Sequence, residues 1–187
     1  MTERAGAWVW VACLQFFVAE AFAAAALPGY SYRFGFISDL GAQDSARHAV
    51  MNGSFVLQGA LIATGLALSW GALGRGGRAL GGKVSLAVCA LGVALVGLAP
   101  EDVASGWHHA GAASHLVASN LGAMLIGRRG GVVAGAIGFA ACLALVAEVY
   151  GGLGVGIVER LASYPFLLWL AGFGAAVLIQ ANRVNKY

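Results

Sequence analysis

The side chains best able to do acid–base or metal chemistry in this chain of 187 residues are four histidines and eight acids. Their densest group is the stretch Pro100-Glu101-Asp102-Val103-Ala104-Ser105-Gly106-Trp107-His108-His109. His108 and His115 stand almost two helical turns apart, so they share a helix face, whereas His109 points about 100° away from His108. Together with Asp39, Glu101 or Glu148 they could form an imidazole–carboxylate zinc site with an open position for water. The metal candidate is therefore the set His108, His115 and Asp39. No HExxH is present, and the histidine spacing matches no specific zinc signature. The competing reading is structural, with His108 and His109 at the membrane interface and His115 hydrogen-bonded to Glu20 or Glu148. Haem between His48 and His108 or His109 would rest on axial ligands alone, which do not specify it. Ser38, Asp39 and a histidine supply the residue types of a nucleophilic relay. Adjacent Ser and Asp are nevertheless badly placed for a histidine to lie between them. Ser38 and Asp39 are expected instead to cap a short turn, and Gly41 to supply a positive φ.

The elements that must position these groups follow from composition. Sixty per cent of the residues are hydrophobic and ten per cent charged, against roughly a quarter charged in a soluble domain. So few charges could not cover so much apolar surface in water, but bilayer hydrocarbon removes that need. Continuous apolar runs without period-two alternation predict helices rather than barrel strands. The expected fold is an all-α, six-helix transmembrane bundle forming a single domain over residues 1–187, with spans at 6–27, 50–73, 80–99, 108–127, 131–150 and 161–181. The first run resembles a secretory signal ending in Ala23-Ala24-Ala25-Ala26, but exceeds the usual signal core of about 7–15 residues and is expected to be the first span.

Charge orients the bundle. Arg4, Arg75, Arg78, Lys83, Arg128, Arg129, Arg183 and Lys186 fall at the termini and in the second and fourth loops; only Arg33, Arg47 and Arg160 fall in the others. The positive-inside rule then places both termini in the cytoplasm and loops 1, 3 and 5 outside a cell membrane. Basic residues scattered on short turns are explained by topology, so nucleic acid is excluded as a partner and membrane lipids are expected. Cys13, Cys89 and Cys142 lie within spans with no CxxC pair and read as packing thiols. Glycine contributes 29 residues. Small residues let membrane helices approach closely, as in Gly131-xxx-Gly135, and could also furnish a homo-oligomeric face.

Polar residues inside spans usually face the bundle interior. Glu20, Asn52, Gln58, His115, Asn120 and Glu148 all fall in the outer half of the predicted membrane, beneath loops carrying Ser38, Asp39, Glu101 and His108. They define an outward-opening polar pocket whose ligand-binding candidates are Glu20, Ser38, Asp39, Asn52, Glu101, His108, His115 and Glu148. The first loop, from Tyr30 to Gly41, is too short to span, and its aromatics suit a segment at the headgroups or folded over the bundle mouth.

At these loops the chain resembles a family of prokaryotic six-helix membrane proteins, the domain-of-unknown-function family nine-nine-eight. The pieces are Tyr30-Ser31 leading to Ile37-Ser38-Asp39-Leu40-Gly41, Asn52-Gly53, Pro100-Glu101-Asp102, the His-x-x-Gly-Ala pattern His108-His109-Ala110-Gly111-Ala112, and Asn120-Leu121-Gly122. Family sequences often show Glu in place of Asp39, and His109 and His115 lie outside the pattern. The Ile-Ser-Asp piece is also similar, more distantly, to the Frag/DRAM/Sfk membrane proteins. The resemblance implies a six-helix fold and an outward polar cluster, and it implies no reaction.

Three function classes follow. The first is a binding or sensing protein whose outer pocket accepts a lipid, quinone or small amphiphile. The second is a metal-assisted hydrolase or lipid-modifying enzyme using His108, His115, Asp39 and an acid. The third is a small transporter or proton-linked carrier with Glu20, Glu148 and His115 along its path. Polar groups confined to one leaflet give no through-path, which ranks binding first.

Overall fold

The computed structural model describes the backbone of residues 2–127 and 129–184. Arg128 and Lys186, two of the charges used for orientation, lie outside the described residues. The chain is all-helical: α1 (Thr2–Ala12), α2 (Gln15–Ala24), α3 (His48–Leu68), α4 (Gly77–Leu98), α5 (Glu101–Ile126), α6 (Arg129–Val146) and α7 (Val155–Val184). α1 and α2 form one apolar stretch, Thr2–Ala24. Between them the N–H groups of Cys13 and Leu14 bond to the carbonyls three residues back, a local 3₁₀ tightening.

Thr2–Ala24, α3, α4, α6 and Val155–Gln180 are each long and apolar enough to cross a membrane. α5 is the polar member. At 26 residues it has the length of a span, and it buries His108, His115, Ser119 and Asn120 while exposing Val103, Trp107, Val117 and Leu121. This polar-inside, apolar-outside distribution is what lipid surroundings select. Neighbours in sequence pack side by side, α1 closes the ring against α7, and α7 also reaches α5.

Glycine sets the closest approaches. A Cβ on Gly92 of α4 would stand 2.7 Å from the backbone N of His115, and one on Gly111 of α5 would stand 2.9 Å from the Gly92 carbonyl. The two backbones thus meet directly, and this brings His115 against α4. Gly131 and Gly135 pack on Trp169, Asn120 and Met124, so this small-residue pair serves contacts within the chain.

Three local expectations need correction. α5 begins at Glu101 and α7 at Val155, so the Glu101–His109 cluster and the Glu159-Arg160 pair are helical and not loop residues. Pro100 precedes the first residue of α5, and Glu101 and Asp102 sit in its first turn, where acids favour helix starts. α6 ends at Val146, which leaves Glu148 outside the span, exposed in a turn at φ 55°. Gly41 does not adopt positive φ; it is small because the Asn52 side chain lies against its Cα.

Candidate functional site

The connection between α2 and α3 folds over one end of the ring. Ser38–Gly41 form a single 3₁₀ turn. The half-buried Asp39 carboxylate accepts the Phe36 N–H at 2.8 Å and so closes a turn as expected, whereas Ser38 caps nothing and turns its hydroxyl to Glu101. Burial raises the Asp39 carboxyl above its ordinary value, only partly offset by that N–H. Asn52 donates to the Gly41 carbonyl at 2.8 Å, and Asp102 accepts the Gln43 N–H at 2.9 Å. Ile37 and Leu40 are buried, so the segment is a packed lid.

Arg160 fastens this lid to α7. Its Nη1 lies within hydrogen-bonding distance of the carbonyls of Tyr32 (3.0 Å), Gly35 (3.2 Å) and Gly156 (2.8 Å). Its Nη2 donates to the Tyr30 hydroxyl at 2.6 Å, and Nε donates to Glu20 at 2.9 Å. Glu20 also accepts the Tyr164 O–H at 2.5 Å. Burial pushes the Tyr30 phenol up to about 12, and its hydrogen goes to the Phe36 carbonyl at 2.8 Å. Every polar atom of the guanidinium is engaged, which is what a buried charge requires.

Beside this anchor runs a stepped cleft. An outer vestibule of about 210 Å³ is bounded by Phe36, Ser38, Glu101, His108, His109 and Tyr150 among others. An inner chamber of about 40 Å³ reaches Phe16, Phe55, His115 and Ser163. The two share Ser38, His108, Ala112, Leu116 and Glu159 as a common wall. At about 10–15 Å³ per water the chamber has room for a few water molecules.

The cleft's polar groups are specifically held. Nδ1 of His108 lies 2.9 Å from the Ala99 carbonyl, which can only accept, so Nδ1 carries hydrogen and neutral His108 leaves Nε2 as an acceptor. That Nε2 is 3.9 Å from Glu101 Oε2, while Glu101 Oε1 is 3.3 Å from His109 Nε2. Ser38 donates to Glu101 Oε2 at 3.1 Å. Its hydroxyl is thus offered to a carboxylate and not to an imidazole, an arrangement unlike a Ser–His–acid relay. Glu159 accepts the Ile37 N–H at 2.6 Å. His115 Nδ1 sits 3.3 Å from Cys89 Sγ, not against Glu20 or Glu148.

Of the eight ligand-binding candidates, Ser38, Glu101, His108 and His115 line this cleft. Glu20 is sequestered by Arg160 and Tyr164, Asn52 holds the lid backbone, Asp39 closes its own turn, and Glu148 is outside. Among the described residues no group of three His, Cys, Asp or Glu side chains could hold a metal ion, so the set His108, His115 and Asp39 is not assembled. Glu159 and Arg160 were missed as site and anchor. Their signal was an adjacent acid–base pair three residues after a glycine run, read as loop because Gly151–Gly156 hides where the helix begins.

A family model described as protein of unknown function (DUF998) matches residues 10–176, a range that takes in the lid, Arg160 and every residue of the cleft. No curated protein and no solved structure matches the chain. With the lid pieces, the His-x-x-Gly-Ala pattern and nearly the whole length inside the match, the chain belongs to the DUF998 family.

Proposed function

We propose that this is a membrane-embedded binding protein whose lidded cleft takes the polar end of a lipid, quinone or other small amphiphile. The carrying observation is the vestibule's mixed lining: the imidazole, hydroxyl and carboxylate groups of His108, His109, Ser38, Glu101 and Glu159 stand together with the apolar side chains of Ala112, Leu116 and Leu145. A vestibule of about 210 Å³ is smaller than the roughly 300–1,000 Å³ of sites that engulf a drug-sized ligand. A headgroup inside with its tail beside Leu145 fits these dimensions. His108 Nε2 and Glu101 would read a donor or acceptor on that head, and Ser38 and Glu159 would tie its presence to the lid. By the positive-inside rule the lidded end is extracytoplasmic.

A metal-assisted hydrolase would need a third ligand beside His108 and His115, and the Asp39 carboxylate is engaged by Phe36. The test is Ala112→Phe, which fills the neck between vestibule and chamber without touching the lid anchor. Organic extracts of the purified native protein should contain an amphiphile, identified by mass spectrometry, that the A112F protein lacks. Identical extracts from two equally folded proteins would overturn the reading.

A further inference from the structure

At the opposite end of the ring, the start of α4, the end of α5 and the start of α6 enclose an open cleft of about 670 Å³. Arg75, Arg78 and Arg129 line it, with Leu125, Val132 and Val133 on its apolar side. Arg78 is held in place: Nε donates to the Leu125 carbonyl at 3.0 Å and Nη2 to the Met124 carbonyl at 3.1 Å, closing the last turn of α5. Among the described residues no acidic side chain pairs with any of the three arginines, and none lines the cleft. Three guanidinium groups therefore face one concavity without a counter-charge.

A second groove, of about 660 Å³, continues from it along α6 and α7 and shares Arg129 and Val133 with it. Its remaining wall is formed by Ala134, Ile137, Pro165, Leu168 and Trp169 with Gly130, apolar apart from the indole N–H, and Ile137 and Leu168 are exposed there. A cationic cup thus opens into a hydrocarbon-lined channel.

We propose that this is a binding site for an anionic phospholipid, its headgroup phosphate clasped by Arg75, Arg78 and Arg129 and one acyl chain lying in the α6–α7 groove. Guanidinium forks match phosphate oxygens in geometry, and basic pockets between helices at the cytoplasmic face recognise anionic heads by this chemistry. Free phosphate would fill only the cup. The acyl groove is what favours a lipid.

The test uses the detergent-purified full chain and native mass spectrometry with phosphatidylglycerol, phosphatidylcholine and inorganic phosphate as probes. Phosphatidylglycerol should bind better than phosphatidylcholine, and R75Q/R129Q, which spares the α5-closing Arg78, should weaken it about thirtyfold. R75K/R129K keeps the charge but not the planar fork and should fall between the native and Gln proteins; native-like binding by R75Q/R129Q would overturn the site. Ala134→Trp should weaken long-chain phosphatidylglycerol and leave the dihexanoyl form unaffected. Equal binding of both lipid classes by the native protein, or displacement of the lipid by inorganic phosphate at equal concentration, would also sink the proposal.

Discussion

Arg160 Nη2 lies 2.7 Å from Glu20 Oε1, and the two residues are 140 positions apart in the chain. This contact joins the first and last apolar stretches and, through Tyr30, Tyr32 and Gly35, holds the lid against both. Both side chains are almost wholly buried, Arg160 at 8 % and Glu20 at 2 % exposure. Removing one partner leaves an uncompensated buried charge, whereas removing both leaves an apolar gap. Arg160→Met or Glu20→Leu should each destabilise the protein by about 3–5 kcal/mol, and the double variant should recover part of that loss. Unfolding titrations in mixed micelles would measure the cycle. Additive losses in the double variant would mean that the two groups do not act as a pair.

Asp39 gives a pH signature. Its folded-state pKa is raised above the ordinary 3.8, chiefly by burial. The folded form therefore holds the proton more tightly than the unfolded one. Stability from this group is complete below the ordinary carboxyl range and is lost as pH rises through the raised value. Asp39→Asn keeps an oxygen for the Phe36 N–H and carries no charge. Its stability should stay flatter than that of the native protein as pH rises from about 4 towards neutrality. Parallel melting-temperature profiles would refute this assignment.

The glycine contacts predict opposite outcomes at two helical positions. At Gly92 an added methyl meets His115 N at 2.7 Å and the Gly111 carbonyl at 2.8 Å, so Gly92→Ala must push α4 and α5 apart. A cost of about 1–3 kcal/mol is expected, with disturbance of the His115–Cys89 contact. Gly53 in α3 has nothing within 4 Å of the added atom. Gly53→Ala should be neutral or stabilising by up to about 1 kcal/mol through helix propensity. Thermal unfolding of the two variants decides it, and equal shifts would contradict the close α4–α5 approach.

Orientation can be read with the native cysteines in place. Cys13, Cys89 and Cys142 are all buried, so a membrane-impermeant maleimide should leave the native chain unlabelled in intact cells. Glu148→Cys and Arg75→Cys place exposed thiols at opposite ends. The first should label from outside and the second only after permeabilisation. The reverse pattern would invert the topology and put the lidded cleft in the cytoplasm.

Hydropathy is a local property, and so the membrane class, the all-helical fold and the approximate spans were legible from residues read in order. So was the burial of Glu20, His115 and Asn120, because a polar side chain inside an apolar run has nowhere to go but inward. Helix ends were less legible. Glu101 and Glu159 looked like loop residues because acidic first turns and glycine runs resemble connections, and Glu148 looked internal because Ala147 and Val149 flank it. Which polar groups meet was decided only by tertiary structure. Glu20 could have paired with His115; instead the azimuth of α7 presents Arg160 to it, and the direct contact of Gly92 with Gly111 turns His115 towards Cys89. Pairing depends on how far helices rotate and how closely they approach, and those are set by contacts between residues many turns apart in sequence, where a linear pattern carries no signal.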